Sequence, residues 1–465
     1  MKTRSIITLL IATTLLQGEV LAQAVNELTV NQAVDYAMKN SVQVRNALVD
    51  IRLQQTQNRE ITSAALPQIS GNATTTRYFD IPTQLIPNFI GPATYQVLID
   101  EGVTNGSGNP ITMPSQGFGM LPFQFGTKWT ANAGIDLSQL LFDGQVFVGL
   151  QARNAAMQFS RLQADVTKEQ IKANVQKIYY QLVVGRQQMT SIDANIDRFE
   201  KLLRDTREIY NQGFAERLDV DKVSVQLGNL RTEKVKLQNQ LDAGNAGLKF
   251  LLNMPQNEIL VLTDSISEET IKSDLLDTAY NYSDRKEYQL LESALRLNKY
   301  NIKRHRLSYL PTVAFFANYG KNAQRDEFDF FGKGDWFTTS LVGLRINIPI
   351  FDGFAKRARI TTAKLQLEKT QNNLEQLRGS IDNDVARSRL NILSAVATMD
   401  NQRMNMKLAE EVYNTTRKKY EQGLGSNQEI YNAQAELKVA QNNYYSALYD
   451  AIIARIDFLQ AIGKL

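Results

Sequence analysis

Three long stretches of this chain repeat apolar residues at alternating spacings of four and three, which is the 3.5-residue period of a coiled coil. They run from Ile171 to Tyr210, from Ile381 to Tyr420 and from Ile430 to Ala461. Residues 123–254 and 350–465 contain no proline, so the residue that breaks helices is absent from both tracts. The pattern predicts long, left-handed supercoiled helices, the first about 100 Å long at 1.5 Å per residue.

Shorter segments alternate apolar and polar residues with a period of two, which predicts β-strands. One begins at Trp129 and carries Asp136 on its polar side, and another begins at Trp336 and carries Arg345 there. The alternation is typical of membrane strands around an aqueous lumen, although a soluble sandwich would account for it equally well. In a membrane barrel, Asp136 and Arg345 would face the lumen. The two tryptophans would then join an aromatic girdle at the membrane interface.

Two further strands are predicted over residues 68–78 and 312–320. Each follows a Leu-Pro pair, at Leu66-Pro67 and Leu310-Pro311, and the residue before a proline disfavours the helical region of the backbone. The chain thus has four predicted membrane strands. Because four strands cannot close a barrel and an open sheet edge cannot face lipid, the chain is expected to assemble with copies of itself.

The two halves of the chain present the same motifs in the same order, which indicates a tandem duplication. Each predicted repeat, 23–254 and 255–465, contains a helix, two strands and a long helical hairpin. The strands of the second repeat fall within residues 310–350. The first repeat has a longer segment, residues 80–128, that is expected to be an outer loop. The recurring motifs are Phe142-Asp143-Gly144 with Phe351-Asp352-Gly353, where the aspartates are expected N-caps, and Tyr210-Asn211-Gln212-Gly213 with Tyr420-Glu421-Gln422-Gly423.

The N-terminus has the pattern of a secretory signal peptide. Lys2 and Arg4 precede an apolar run over residues 6–16, and small residues follow. We expect residues 1–22 to be removed by cleavage after Ala22, with Ala24 as the alternative position. A transmembrane anchor would need about 20 consecutive apolar residues. The sequence therefore predicts export from the cytoplasm.

The amino-acid composition excludes several kinds of functional site. The chain has 465 residues, no Cys, a single His and a net charge of +4. These numbers exclude a disulfide framework, a thiol nucleophile, a Cys-ligated metal and paired-His metal sites. No nucleophile with a base, metal cluster or phosphate-binding loop is visible, so neither an enzyme nor a cofactor is expected. The mixed, near-neutral charge does not favour a nucleic-acid partner.

These features together resemble the TolC-like outer-membrane efflux proteins, over nearly the whole mature chain. The duplicated Leu-Pro strand starts, Phe-Asp-Gly junctions and Tyr-x-x-Gly turns carry the resemblance by their order. The run Gln124-Phe125-Gly126-Thr127-Lys128 also resembles a form common in Bacteroidetes members. The resemblance implies an α+β protein of the outer membrane: a homotrimer whose twelve-stranded barrel, with four strands per chain, continues into a coiled-coil periplasmic tunnel.

The family resemblance also implies a function. Such a protein is a passive exit duct for drug efflux or type I secretion. Its partners would be outer-membrane lipid, a periplasmic adaptor, and an inner-membrane transporter of resistance-nodulation-division or ABC type. The sequence does not identify the exported substrate. The alternative is a trimeric surface fibre or adhesin with a membrane anchor. Strands in both halves, each followed by a heptad hairpin, disfavour that alternative, and the conductance of the reconstituted protein would discriminate between the two.

The resemblance places functional residues at two helical tips, near residues 210–219 and 420–432. Family members carry an arginine where this chain has Gly425 and a carboxylate where it has Asn432. The ionic latch from that arginine to Asp219 is therefore in doubt. Tyr420 could still bond Asp219, and Arg217 is a candidate substitute for the latch. Three copies of Glu429 in a narrow pore would attract cations. The alternative is that these residues only form turns and exposed helix faces. The expected adaptor-docking residues are Tyr210, Gly213, Phe214, Ala215, Gly423, Leu424 and Gly425, and the expected gate residues are Asp219, Tyr420, Glu429 and Asn432.

Overall fold

A computed structural model describes residues 25–273 and 279–465. The predicted signal peptide, residues 1–22, lies outside the described residues. The chain divides into two compact units. The sheet unit comprises residues 58–151 and 302–360. The helical unit comprises the described parts of residues 1–57, 152–301 and 361–465.

The chain contains two long helical hairpins, and two strands of one sheet precede each hairpin. In chain order the elements are β1 (Val25–Leu28), α1 (Val30–Asn40), α2 (Val42–Ser63), β2 (Gln68–Arg77), β3 (Thr83–Pro87), α3 (Ile90–Asp100), β4 (Met120–Gln124), β5 (Trp129–Phe142), α4 (Gly144–Asn211), α5 (Arg217–Leu252), β6 (Ile259–Leu262), α6 (Glu268–Lys272), a 3₁₀ turn (Tyr282–Asp284), α7 (Lys286–Leu307), β7 (Thr312–Arg325), β8 (Phe337–Asn347), α8 (Ala355–Glu421) and α9 (Asn427–Ala461).

The four predicted strands form one antiparallel sheet in the order β2-β5-β7-β8, with β2 and β8 as its two edges. As expected, β2 and β7 begin directly after Pro67 and Pro311. The third strand of the sheet, β7, is longer than predicted. It continues past Gly320 to Arg325 because residues 321–325 stay paired with β5, up to the pair Trp129–Arg325.

The aspartates of both Phe-Asp-Gly motifs accept hydrogen bonds at the start of the long helices. The Asp143 carboxylate accepts from the backbone N–H of Gln145 at 2.7 Å. That of Asp352 accepts from the backbone N–H of Lys356 at 3.0 Å. Asp352 is not the N-cap that was expected, because Gly353 and Phe354 take the left-handed conformation and α8 begins only at Ala355.

In the helical unit, the heptad positions of α4, α8 and α9 form the core, as the period predicted. The first hairpin is held closely: a Cβ on Gly185 of α4 would lie 2.6 Å from Leu241 of α5, and one on Gly244 would lie 2.9 Å from Leu182. The two glycines therefore let α4 and α5 approach each other. Fully or nearly fully buried seam residues include Ile171, Val175, Ile192, Phe199, Ile381, Ile392, Met399, Leu437, Ala451 and Phe458.

Two features were not predicted. The segment 80–128, expected as an outer loop, contains the hairpin β3–β4 and helix α3. In the helical unit, β1 pairs in parallel with β6, from Val25–Ile259 to Leu28–Leu262. Both strands are too short for a period to stand out in sequence. Among residues 25–273 and 279–465, no helix combines the length and apolar character needed to cross a membrane.

Candidate functional site

The two helical tips have the same backbone geometry. After α4, the N–H of Gly213 donates to the carbonyl of Tyr210 at 2.9 Å; after α8, the N–H of Gly423 donates to that of Tyr420, also at 2.9 Å. In each turn the next residue, Phe214 or Leu424, bonds five residues back. This is the Schellman pattern of a helix C-terminus, which needs a residue of positive φ. The glycines supply it, with φ of 83° and 73°.

The tips present apolar side chains to solvent at equivalent positions. Phe214 is 84% exposed and Leu424 is 77% exposed. Tyr210 is exposed as well, whereas Ala215 and Gly425 are half-buried. The two turns therefore expose a large apolar side chain at equivalent positions, and a role for these side chains in docking an adaptor stays a prediction.

Asp219, the acidic residue expected to act at the first tip, makes its hydrogen bond within that tip. The Asp219 carboxylate accepts from the backbone N–H of Glu216 at 3.3 Å, at the start of α5. In the second tip, the Ser426 hydroxyl accepts from the backbone N–H of Glu429 at 3.2 Å. Arg217, the expected substitute latch, lies 3.8 Å from Asp221 of its own helix. Neither Asp219 nor Arg217 therefore bridges the two tips within this protomer.

A different contact joins the two hairpins. Tyr420 hydrogen-bonds with Thr206 of α4, not with Asp219 as the sequence suggested. Thr206 is completely buried. Burial raises the pKa of the Tyr420 hydroxyl, and the bond with Thr206 opposes that rise. Next to it, the Lys201 ammonium lies 3.5 Å from the Glu421 carboxylate. The ends of α4 and α8 are thus tied by a buried hydroxyl pair and an exposed ion pair.

Glu429 and Asn432 lie on the exposed side of α9, one turn apart, with Ile430 buried beside them. The Asn432 side-chain oxygen accepts from Gln428 at 2.9 Å. Gln428 in turn accepts from the Lys222 ammonium of α5 at 3.5 Å. Of the four expected gate residues, Glu429 and Asn432 therefore share an accessible helix surface. Asp219 belongs to the other hairpin.

In the sheet unit, Asp136 is the centre of a polar cluster. Its carboxylate accepts from the side-chain amides of Asn72 at 2.5 Å and Asn318 at 2.8 Å, on the two neighbouring strands. The strand pairing places Arg345 on the same face, where its guanidinium stacks 5.2 Å from the centre of the Phe316 ring. Sequence reasoning missed Asn72 and Asn318. Their place on the polar side of alternating strands was the available signal.

The two tryptophans lie at the same end of the sheet, as expected, but each is half-covered by the segment between β7 and β8. The Trp129 ring packs 5.1 Å from Phe328, and the Trp336 ring packs 6.3 Å from Phe330. Phe330 itself is buried against Ala131 and Ala323. Their role in a membrane girdle stays a prediction.

Comparison with known proteins agrees with this architecture. Residues 285–464 match the family described as outer membrane efflux protein. The outer membrane protein TolC of Vibrio cholerae is 19% identical over 338 residues, covering 72% of this chain and 77% of that protein. The alkaline protease secretion protein AprF of Pseudomonas aeruginosa is 21% identical over 326 residues, covering 69% of this chain and 67% of that protein.

The fold matches a solved structure over almost its full length. The crystal structure of the outer membrane protein VceC of Vibrio cholerae superposes with a TM-score of 0.67, at 13% identity, covering 93% of this chain and 96% of that one. The family and the Vibrio cholerae proteins are described as outer-membrane proteins, in agreement with the location predicted here. The matches confirm the resemblance that the motifs indicated, to the TolC-like outer-membrane efflux proteins.

Proposed function

We propose that this protein is the outer-membrane channel of an efflux or type I secretion system and conducts its substrates passively. Three copies would assemble a twelve-stranded barrel and a helical tunnel, and the chain would have arisen by tandem duplication. The observation that carries the proposal is the four-stranded sheet with its two unpaired edges, β2 and β8. In lipid, unpaired backbone groups are too unfavourable to persist, and only closure by further copies pairs them.

The two faces of the sheet support the same proposal. One face carries the Asp136 cluster with Arg345, and such side chains suit an aqueous lumen. The opposite face exposes Ile69, Val342 and Leu344, which suits contact with acyl chains. Each chain would contribute one third of this two-faced wall.

The tips would dock a periplasmic adaptor, which links the channel to an inner-membrane transporter of resistance-nodulation-division or ABC type. Phe214 and Leu424 support this role because both are exposed at the ends of equivalent turns. An adaptor that presents apolar sockets would remove both side chains from water. The doubled tip also offers two similar contacts per chain, six in the trimer.

The tips would also gate the channel. With Gly425 in place of an arginine, the resting state would rely on the buried pair Thr206–Tyr420 and on the ion pair Lys201–Glu421. Three exposed Glu429 carboxylates would give the constriction its preference for cations.

The experiment is reconstitution of the mature chain in planar bilayers, with the mass of the assembly measured beforehand. The proposal expects a trimer that gives discrete, cation-preferring conductance steps. A protein that inserts and stays silent, without steps at any voltage, would contradict the channel and favour a surface fibre. Crosslinking from Phe214 and Leu424 positions in cells would then identify the adaptor, and the finding that no adaptor is captured would count against the tripartite assembly.

A further inference from the structure

A cavity of 670 Å³ opens on the face of the sheet opposite Asp136. The pairing fixes this face: Ala133 pairs with Ala73 on β2 and with Lys321 on β7, and directly paired residues project to the same side. The next pairs along the strands bring Gly71 and Tyr319 beside Ile135. The depression exists because three neighbouring positions, Gly71, Ala73 and Ala133, carry small side chains or none. We call it the Lys321 groove.

The groove has an aromatic and a cationic border. Tyr319 and Trp336 line it together with Lys321. In the part of the chain that the structure describes, no acidic side chain forms an ion pair with the Lys321 ammonium. An unpaired cation on a face otherwise suited to lipid is unfavourable unless an anion meets it.

The charge on this face changes along the strands. Toward the loops that join β2 to β5 and β7 to β8, the pairs around Trp129 bring Arg77 and Arg325 to the same side. In the other direction the exposed side chains on this face are apolar at Ile69, Val342, Leu344 and Ile346, and Gln139 is a polar residue among them. A lipid has the same order of chemistry: acyl chains, then a zone where amphipathic aromatic rings settle, then phosphate.

We propose that the Lys321 groove binds a membrane lipid that carries an anionic phosphate headgroup. An acyl chain lies in the depression over Gly71, Ala73 and Ala133. The phosphate oxygens accept from the Lys321 ammonium, and Tyr319 and Trp336 flank the junction between chain and headgroup. The inference rests on the proposed function, since it requires this face of the sheet to meet lipid.

The test uses the full-length mature protein in detergent and native mass spectrometry. The probes are phosphatidylglycerol and a diacylglycerol with the same acyl chains, which lacks the phosphate. The proposal expects preferential retention of phosphatidylglycerol. Lys321→Gln should reduce that retention about fivefold, the change that one lysine near an anionic lipid headgroup brings. The matched control is Lys333→Gln, an exposed lysine that does not line the groove, and it should bind as the unaltered protein does.

A second variant separates the groove from the charge. A Cβ on Gly71 would meet only the Gly134 carbonyl oxygen, at 3.9 Å, so Gly71→Leu can fill the depression without a backbone clash. It should weaken retention of both lipids. Retention of phosphatidylglycerol that is equal in Lys321→Gln and the unaltered protein would overturn the proposal, as would an unaffected Gly71→Leu protein. Displacement of the lipid by millimolar inorganic phosphate would also overturn it, because the site would then recognise free phosphate.

The bilayer recording keeps this proposal distinct from the proposed function. An unaltered protein that conducts but shows no preference between the two lipids refutes the groove alone. One that does not conduct refutes the channel, whatever lipid it retains. Circular dichroism and the mass of the assembly identify a variant that failed to fold, and Ala73→Leu then replaces Gly71→Leu as the filling variant.

Discussion

The contact between Thr206 and Tyr420 gives the sharpest prediction about the tips, because it links the two hairpins close to the tip turns and its Thr206 side chain is completely buried. Tyr420→Phe removes one hydroxyl and, with it, this hydrogen bond. A hydrogen bond of this kind contributes about 1 kcal/mol net to stability. If the contact exists only in the resting state, the ratio of open to closed channels should rise about fivefold.

The assay is open probability in planar bilayers, in the absence of an adaptor, measured for a double-mutant cycle. Thr206→Val and Tyr420→Phe should each raise the open probability, and the double variant should raise it by less than the product of the two. The control is Tyr210→Phe, at the equivalent position of the first tip. The Tyr210 side chain is exposed, so this variant should have the open probability of the unaltered protein.

The reasoning would be refuted by effects that simply multiply, since the two hydroxyls would then act independently. It would also be refuted by an open probability that neither single variant changes. In that case the packing around Tyr413 and the ion pair Lys201–Glu421 would hold α4 and α8 together.

Three further predictions concern separate parts of the molecule. Glu429→Gln should weaken cation selectivity and block by multivalent cations in bilayer recordings, and unchanged selectivity would remove Glu429 from the gate. Gly247→Ala, where a Cβ meets nothing within 4 Å, should stabilise the protein by up to about 1 kcal/mol of helix propensity and raise the midpoint of thermal unfolding. Gly185→Ala should have a lower midpoint than Gly247→Ala, because its Cβ would lie 2.6 Å from the Leu241 side chain, and moving that side chain offsets the same gain in propensity. Hydrogen bonds from Tyr280 and Tyr282 lower the pKa of the Asp382 carboxyl group. The Asp382 carboxylate therefore stabilises the fold fully at any pH above its ordinary pKa of about 3.9. This stabilisation is lost as the pH falls through the lowered pKa of the folded state. Asp382→Asn should therefore be less stable than the unaltered protein at pH 7 and equally stable in strong acid, and a difference between the two proteins that persists unchanged in strong acid would contradict this assignment.

The period of the apolar residues and the residues at element boundaries predicted most of the architecture. The heptads located the buried seams, from Ile171 in α4 to Phe458 in α9, because residues at spacings of four and three lie on one stripe of a helix. They did not locate Ala173, Val183 and Val184, which are buried off that stripe. Pro67 and Pro311 located the strand starts, and Asp143 located a helix start, because these are local backbone effects. Features that depend only on neighbouring residues can therefore be predicted from the sequence.

Pairings between distant parts of the chain were not predictable in the same way. The resemblance suggested Asp219 as the partner of Tyr420, whereas the structure brings Thr206 to it, since only the packed positions of α4 and α8 decide which side chain arrives. Asn72 and Asn318 meet Asp136 only through the strand register. A register shift of one residue would send both amides to the other face.

Closure of the sheet by neighbouring copies is the central claim, and disulfide crosslinking of its two edges tests it most directly. The natural chain has no cysteine, so every disulfide is an introduced one. Thr74→Cys on β2 is combined with single cysteines scanned over residues 338–344 of β8. Within one chain the two edges are separated by β5 and β7, about 14 Å of sheet, which no disulfide spans. The account predicts covalent dimers and trimers at alternate positions of the scan. Monomers alone at every position, from a protein that otherwise folds and inserts, would contradict it.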